Sequence, residues 1–184
     1  MGRKYKFHDN TKLHFVTFTV VDWIDVFTRQ EYVDIIYDSL RFCQKQKGLE
    51  LYAYCIMTNH IHLIIGTEDG GILSDIVRDF KSFTSRHLRK VIENSYTESR
   101  KSWMLDIMKK LGNQNERNKD FQFWQQHSHP IELDTNEILD QRLNYIHQNP
   151  VKAGFVEKEE DWINSSAGDY YQIRKGQIDL IIIE

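Results

Sequence analysis

The chain has 184 residues, 40% of them hydrophobic, with four Trp, nine Tyr and ten Phe, which suits one well-filled core rather than two ordinary domains. Nine Gly and two Pro exclude collagen-like and low-complexity classes, and no apolar run approaches the roughly 18 residues of a membrane-spanning helix. The formal net charge of −3 conceals an asymmetry, because residues 131–184 sum to −6 and residues 1–130 to +3.

Cations cluster at 3–12, at 78–90 and at 100–119, which leaves local phosphate binding open beside the plainer reading of solvated helix faces. The charged start MGRKYKFHDN lacks the apolar stretch of a secretory signal. Lys6 stands where a myristoylation signal needs Ser or Thr. Cys43 and Cys55 have neither metal nor redox spacing and read as buried thiols. These features lead us to expect a cytoplasmic protein with no membrane partner.

In chain order, LHFVTFTVV at 13–21 is β-branched and aromatic, the profile of a buried strand. Val33, Ile36, Leu40 and Cys43 recur at helical spacing over 30–47, with Gly48 placed as a C-terminal cap. Strands at 50–57 and 60–66 are separated by Thr58-Asn59 alone, which is hairpin spacing. A second amphipathic helix spans 72–92, with Leu73, Val77, Phe80, Phe83, Leu88 and Val91 as its stripe and Ser74 as a candidate N-cap.

Residues 93–120 read as an insertion with one short helix (Trp103, Ile107, Leu111) ended by Gly112-Asn113. A fourth strand is expected at 121–127. A third main helix follows over 136–148, capped by Thr135 or Asn136 and stopped at Asn149-Pro150. The tail from 157 has a possible last strand at 178–183. The order β-α-β-β-α-β predicts an α+β, ferredoxin-like split β-α-β sheet with helices on one face, the third main helix and the tail being added to it. The unit is expected to be one domain, with a core at 13–156.

Two groups carry chemistry. His60 and His62 alternate with Ile61 on a strand, so both imidazoles project from one face about 7 Å apart and can converge on one ion. The bland alternative is a pair of surface histidines. His127 and His129 repeat the spacing, and four histidines could make a tetrahedral zinc site. On the third main helix, Leu139, Leu143 and Ile146 form the apolar stripe, and Tyr145 lies about 130° away with Gln141, Gln148 and Asn149. That displacement suits a hydroxyl in use, and equally a rim tyrosine. Asn149, one turn beyond, is either a third ligand or a helix cap.

The set FVTFTV, MTNHIHLII, RDFKSFTSRHL and YIHQNPVKAG, in this order, resembles the HUH-type single-tyrosine transposases, and within them most closely the REP-associated tyrosine transposases. The resemblance implies a metal-dependent endonuclease and strand-transferase acting on single-stranded, hairpin-forming DNA. By the match, His60 and His62 hold Mg²⁺ or Mn²⁺, and Tyr145 is the nucleophile that forms a 5′-phosphotyrosine link. Asn149 stands where transposon-encoded relatives have a glutamine ligand, with Gln148 as the alternative third ligand. Arg78, Lys81, Ser82, Ser85 and Arg89 form the expected DNA-contacting ridge. Transposon-encoded relatives are dimers that exchange catalytic helices, whereas the REP-associated branch keeps its tyrosine within one chain. The Ile-rich end leaves a homodimer open through edge pairing. The alternatives are a non-cleaving DNA-binding protein on the same fold and a zinc-dependent hydrolase.

Overall fold

The computed structural model describes residues 7, 9–115, 120–126 and 128–183. Strand β1 (His14–Thr19) leads through a 3-10 turn at Val21–Trp23 into helix α1 (Gln30–Lys47). The hairpin β2 (Leu49–Ile56) and β3 (His60–Thr67) follows, then helices α2 (Leu73–Asn94) and α3 (Lys101–Asn113). A two-residue strand β4 (Ile131–Glu132), helix α4 (Asn136–Lys152) and a short helix α5 (Ala167–Tyr170) complete the order. The sheet runs β2-β3-β1-β4 with every pair antiparallel, which is the split β-α-β arrangement the periodicity predicted.

Two apolar clusters lie on opposite faces of this sheet. Val16, Phe18, Ile61, Leu63 and Ile65 meet α1, α2 and α3 on one side. Phe15, Ala53, Cys55 and Ile64 meet α4 and the tail on the other. Along β3 the alternation is unbroken, so His60 and His62 share the α4 side with Ile64. Strand β2 reaches that register only through a bulge, because pairing shifts between Leu51↔Ile65 and Ala53↔Ile64. The extra residue reverses which side chains face which layer, placing Leu51 with α1 and Cys55 beside His62 on the α4 side.

Gly48 caps α1 at φ 66°, as its position predicts. Helix α2 begins two residues earlier than a Ser74 cap would allow: Ile72 is its N-cap, and the free Leu73 amide donates to the Asn10 side chain at 2.9 Å. Phe83 is exposed, and Thr84 takes the inward position on that turn, accepting the Trp124 indole N–H at 3.0 Å. On α3 the inward residues are Met104, Met108 and Gly112, so the Trp103 stripe is displaced by one residue and Trp103 faces solvent. Gly112 sits inside the helix rather than ending it, pressed against the Phe121 backbone.

The expected strand at 121–127, whose last residue lies outside the described residues, is over 121–126 an irregular run beside β1, joined by one bridge, Val20↔Trp124, and by Gln125 N–H to Thr19 carbonyl at 2.8 Å. Regular pairing begins at Ile131, after His129 at φ 39° and Pro130 have broken the ladder. Nor does the tail form a strand over 178–183. Asn164–Ser166 meets the β2 edge through an isolated antiparallel bridge, with Ile56 N–H to Asn164 O and Ser166 N–H to Tyr54 O, and Ile181 N–H bonds once to Leu51 O.

Candidate active site

Helix α4 starts at a Thr135 cap, whose side chain accepts from the Ile138 amide. It runs through Pro150 to Lys152, so Asn149-Pro150 does not stop it and Asn149 stays helical. Proline removes one amide donor near the C-terminal end, where the helix tolerates the loss because Ala153 and Phe155 still bond back to Asn149 and Pro150. As a result Tyr145 and Asn149 remain one turn apart on a single helix face, and that face lies on the sheet. Tyr145 is half-buried among the second apolar cluster rather than set apart from it.

The rings line up. His60 and His62 are 4.6 Å apart between centroids, Tyr145 is 5.2 Å from His62, and Phe15 stacks behind His62 at 5.4 Å. All belong to one chain, so the tyrosine meets the histidines without a second copy. Asn149 Nδ2 is 3.2 Å from His62 Nε2. Gln148 is turned elsewhere, donating to Glu159 at 2.5 Å.

The donor set suits a divalent ion. His60 Nδ1 meets Asn59 Oδ1 at 2.7 Å. An amide oxygen only accepts, so this ring carries its proton on Nδ1 and keeps a lone pair on Nε2. The His62 Nδ1 is held by the Thr17 hydroxyl at 2.8 Å, and the Asn149 amide donates towards its Nε2. Thr17 and Asn59 thus orient the two rings from their Nδ1 sides, leaving each Nε2 lone pair on the α4 side, where that of His62 accepts the Asn149 amide. Burial keeps both imidazoles in the neutral, ligating form: His60 lies below the ordinary histidine value, and His62 is pushed down to about 3 by burial, with His60 and Arg142 adding to it. Among the described residues no cluster of three or more His, Cys, Asp or Glu exists, and Asn149 is the neutral side chain in contact with the histidine pair. His127 lies outside the described residues, and His129 lies in the run beside β1.

Sequence reasoning missed several neighbours. Thr17 alternates with Phe and Val in FVTFTV, and antiparallel pairing puts it opposite His62. Arg142 and Lys152 lie three residues before and seven after Tyr145, on its own helix face. The Arg142 guanidinium sits 5.3 Å over Phe15, and Lys152 Nζ lies 5.8 Å from the Tyr145 ring. Neither has a carboxylate within ion-pair distance among the described residues, and Arg142 Nε is buried without a hydrogen-bond partner. Two unpaired cations beside a phenol and two imidazoles make a locally positive cleft in a chain of negative net charge.

The five residues of the expected DNA ridge differ in situation. Ser82 is exposed and Ser85 partly so. Arg78 is paired with both Asp75 and Asp79, and Arg89 with Glu93. Lys81 points inward: its ammonium donates to the Gln125 carbonyl at 2.9 Å and to Ser128, and burial lowers its pKa to about 8.

An antiparallel split β-α-β sheet thus brings a histidine strand to face a tyrosine helix. A family model described as transposase, IS200-like, matches residues 8–105, and the chain belongs to that family. The fold is shared with a REP-associated tyrosine transposase solved bound to a REP hairpin, at a TM-score of 0.68 and 15% identity over 100% of both chains. A protein of Deinococcus radiodurans R1 assigned as a transposase matches at a TM-score of 0.46 and 19% identity, over 81% of this chain and 95% of its own. No curated protein sequence matches. No helix among the described residues is long and apolar enough to cross a membrane.

Proposed function

We propose that this transposase cuts and rejoins single-stranded DNA through Tyr145, with His60, His62 and Asn149 holding a divalent ion, Mg²⁺ or Mn²⁺. The convergence of Tyr145 on the histidine pair within one chain carries this reading. A bound ion would polarise a non-bridging oxygen of the scissile phosphate and offset its charge. The Tyr145 hydroxyl oxygen attacks phosphorus and forms the 5′-phosphotyrosine bond as the bond to the 3′ oxygen breaks. The phenolic proton passes to solvent and the departing oxygen is protonated to the 3′-hydroxyl. Arg142 and Lys152, unpaired in the fold, receive the negative charge of the approaching phosphate and of the developing phenolate.

The covalent link conserves the phosphodiester energy, so rejoining by a 3′-hydroxyl reverses the same geometry. The outer face of α2, with Arg78, Ser82, Ser85 and Arg89, lies along the bound strand, and Lys81 fixes the run that borders β1. A hairpin next to an unpaired segment is the substrate we favour, because the REP-associated structural neighbour was solved with a hairpin.

The decisive experiment incubates the protein with Mn²⁺ and end-labelled, hairpin-bearing single strands. A denaturation-resistant adduct that vanishes in Tyr145→Phe is expected. Cleavage that persists unchanged in that variant would overturn the assignment.

A further inference from the structure

The turn after β1 holds an aromatic ring that the proposed chemistry has not used. In residues 20–27, Val20, Val21, Ile24, Val26 and Phe27 are all buried, yet Trp23 between them is 59% exposed. The turn thus buries its aliphatic and phenyl side chains and directs its largest ring outward. Asp22 and Trp23 both adopt φ 54°, left-handed backbone that a bulky residue seldom takes. Bonds from Trp23 N–H to Val20 O and from Ile24 N–H to Val21 O hold that conformation. The loop is tied further where the Asp25 carboxylate accepts from Thr58 at 2.6 Å and Asn59 at 2.9 Å, at the very turn that precedes His60. The indole is thus presented rigidly, and its centroid lies 5.9 Å from His60.

Trp23, His60, His62 and Tyr145 form a row of rings spaced 5.9, 4.6 and 5.2 Å, with the nucleophile at the inner end and the indole at the outer. Residues 20–28 contain no Lys or Arg and two Asp, and the Arg100 guanidinium that reaches the Asp25 carbonyl and the Thr28 hydroxyl is itself paired with Glu98, so this rim attracts phosphate less than the α4 side, where Arg142 and Lys152 stand. What settles on the indole is therefore a base rather than backbone. Resting on the proposed single-strand chemistry, we propose that Trp23 is a stacking platform for an unpaired nucleobase of the strand whose phosphate lies at Tyr145. Every base offers a π-face, so the platform positions the strand with little sequence demand.

The test measures equilibrium binding of fluorescein-labelled dA12 to the Tyr145→Phe protein, which cannot cleave, in Mn²⁺. Adding Trp23→Ala is expected to weaken binding about tenfold or more, while Trp23→Phe stays within about threefold of the parent. Mn²⁺ affinity is expected to be unchanged in both, because neither removes a proposed ligand. Replacing dA12 by an iododeoxyuridine strand and irradiating is expected to crosslink Trp23, as read by mass spectrometry. Undiminished dA12 binding by Trp23→Ala overturns the platform alone, leaving the Tyr145 adduct as the separate measure of the cleavage reading. Failure of the Trp23-intact protein to bind dA12 likewise overturns the platform, and the adduct assay on hairpin-bearing strands still judges the cleavage reading. If Trp23→Ala changes the sedimentation mass but not dA12 binding, the ring is a protein contact and the inference fails.

Discussion

The Asn149 side-chain amide meets His62 Nε2 at 3.2 Å, joining residues 87 positions apart in the chain. That contact lies beside the apolar packing of α4 on the sheet, which sets the distance between phenol and imidazoles. It also separates two candidates that sequence left side by side, since Gln148 on the next residue is occupied by Glu159. Asn149→Ala is expected to weaken Mn²⁺ binding at least about tenfold, and Gln148→Ala to change it less than about twofold. Titration calorimetry on both variants, with no DNA present, checks this.

Thr17 touches neither substrate nor ion in our reading, and acts by orienting His62. Thr17→Val keeps the shape and removes the bond. Mn²⁺ affinity is expected to fall about 10–100-fold, while Thr17→Ser restores most of it. Electron paramagnetic resonance of free Mn²⁺ reads the loss directly, apart from any effect on cleavage.

Two buried groups set the acid limit of stability in separate windows. His147 is buried, bonds to Ser166 at 2.9 Å, and is pushed down to about 4 by burial. Its folded-state value is depressed, so the unfolded chain takes up a proton first, and stability present above about pH 6.5 is lost as pH falls towards 4. The Glu98 side chain is fully buried between Arg29 and Arg100 and held down to about 2, chiefly by its hydrogen bond to Arg100. Its contribution is complete above about pH 4.5 and is lost as pH falls towards 2. Thermal melts from pH 7 to 2.5 are expected to show two descending steps. Glu98→Gln should remove the lower step and cost on the order of 2 kcal/mol at pH 7, because the two arginines it leaves behind still reach water.

Gly112 permits the contact between α3 and the run at Phe121. A Cβ there would lie 2.3 Å from the Phe121 amide nitrogen and 2.5 Å from its Cα, backbone atoms that cannot swing away. Gly112→Ala is expected to destabilise by about 2–3 kcal/mol, despite alanine's better helix propensity. Differential scanning calorimetry should show a melting temperature lower by roughly 5–10 °C.

Salt dependence separates phosphate contacts from structural cations on α2. Arg89 is partly exposed, paired with Glu93 and lying over the Phe121 ring at 4.6 Å. Arg89→Ala is expected to reduce the slope of log binding constant against log salt by about one. Lys81→Gln, whose ammonium is sequestered at Gln125 and Ser128, should lower stability and leave that slope unchanged.

The elements with strong periodicity were legible from the sequence alone. The unbroken alternation of His60-Ile61-His62-Leu63 decided which face of β3 the imidazoles take, and Gly48 marked the end of α1, because both follow from local geometry that no distant contact overrides. Less legible were features whose local signal loses to tertiary contact. FQFWQQH alternates like a strand, yet Trp124 and Phe123 are drawn into the core and the ladder forms only beyond Pro130. Pro150 reads as a stop, yet the helix continues because its last turn can lose one donor. Thr17 and Asn59 gave no signal by themselves, since each matters only through the ring it faces.

What the sequence determined by itself was the inventory and the periods: two imidazoles on one strand face, a tyrosine and an asparagine one helical turn apart, and helices and strands in split β-α-β order. Only the tertiary structure decided that α4 crosses the sheet at the histidines of its own chain, that Arg142 and Lys152 meet there without counter-ions among the described residues, and that Trp23 stands outward. Periodicity is written in neighbouring residues, whereas convergence depends on how two apolar faces far apart in the chain lock together, and on a single bulge in β2 that no local pattern announces.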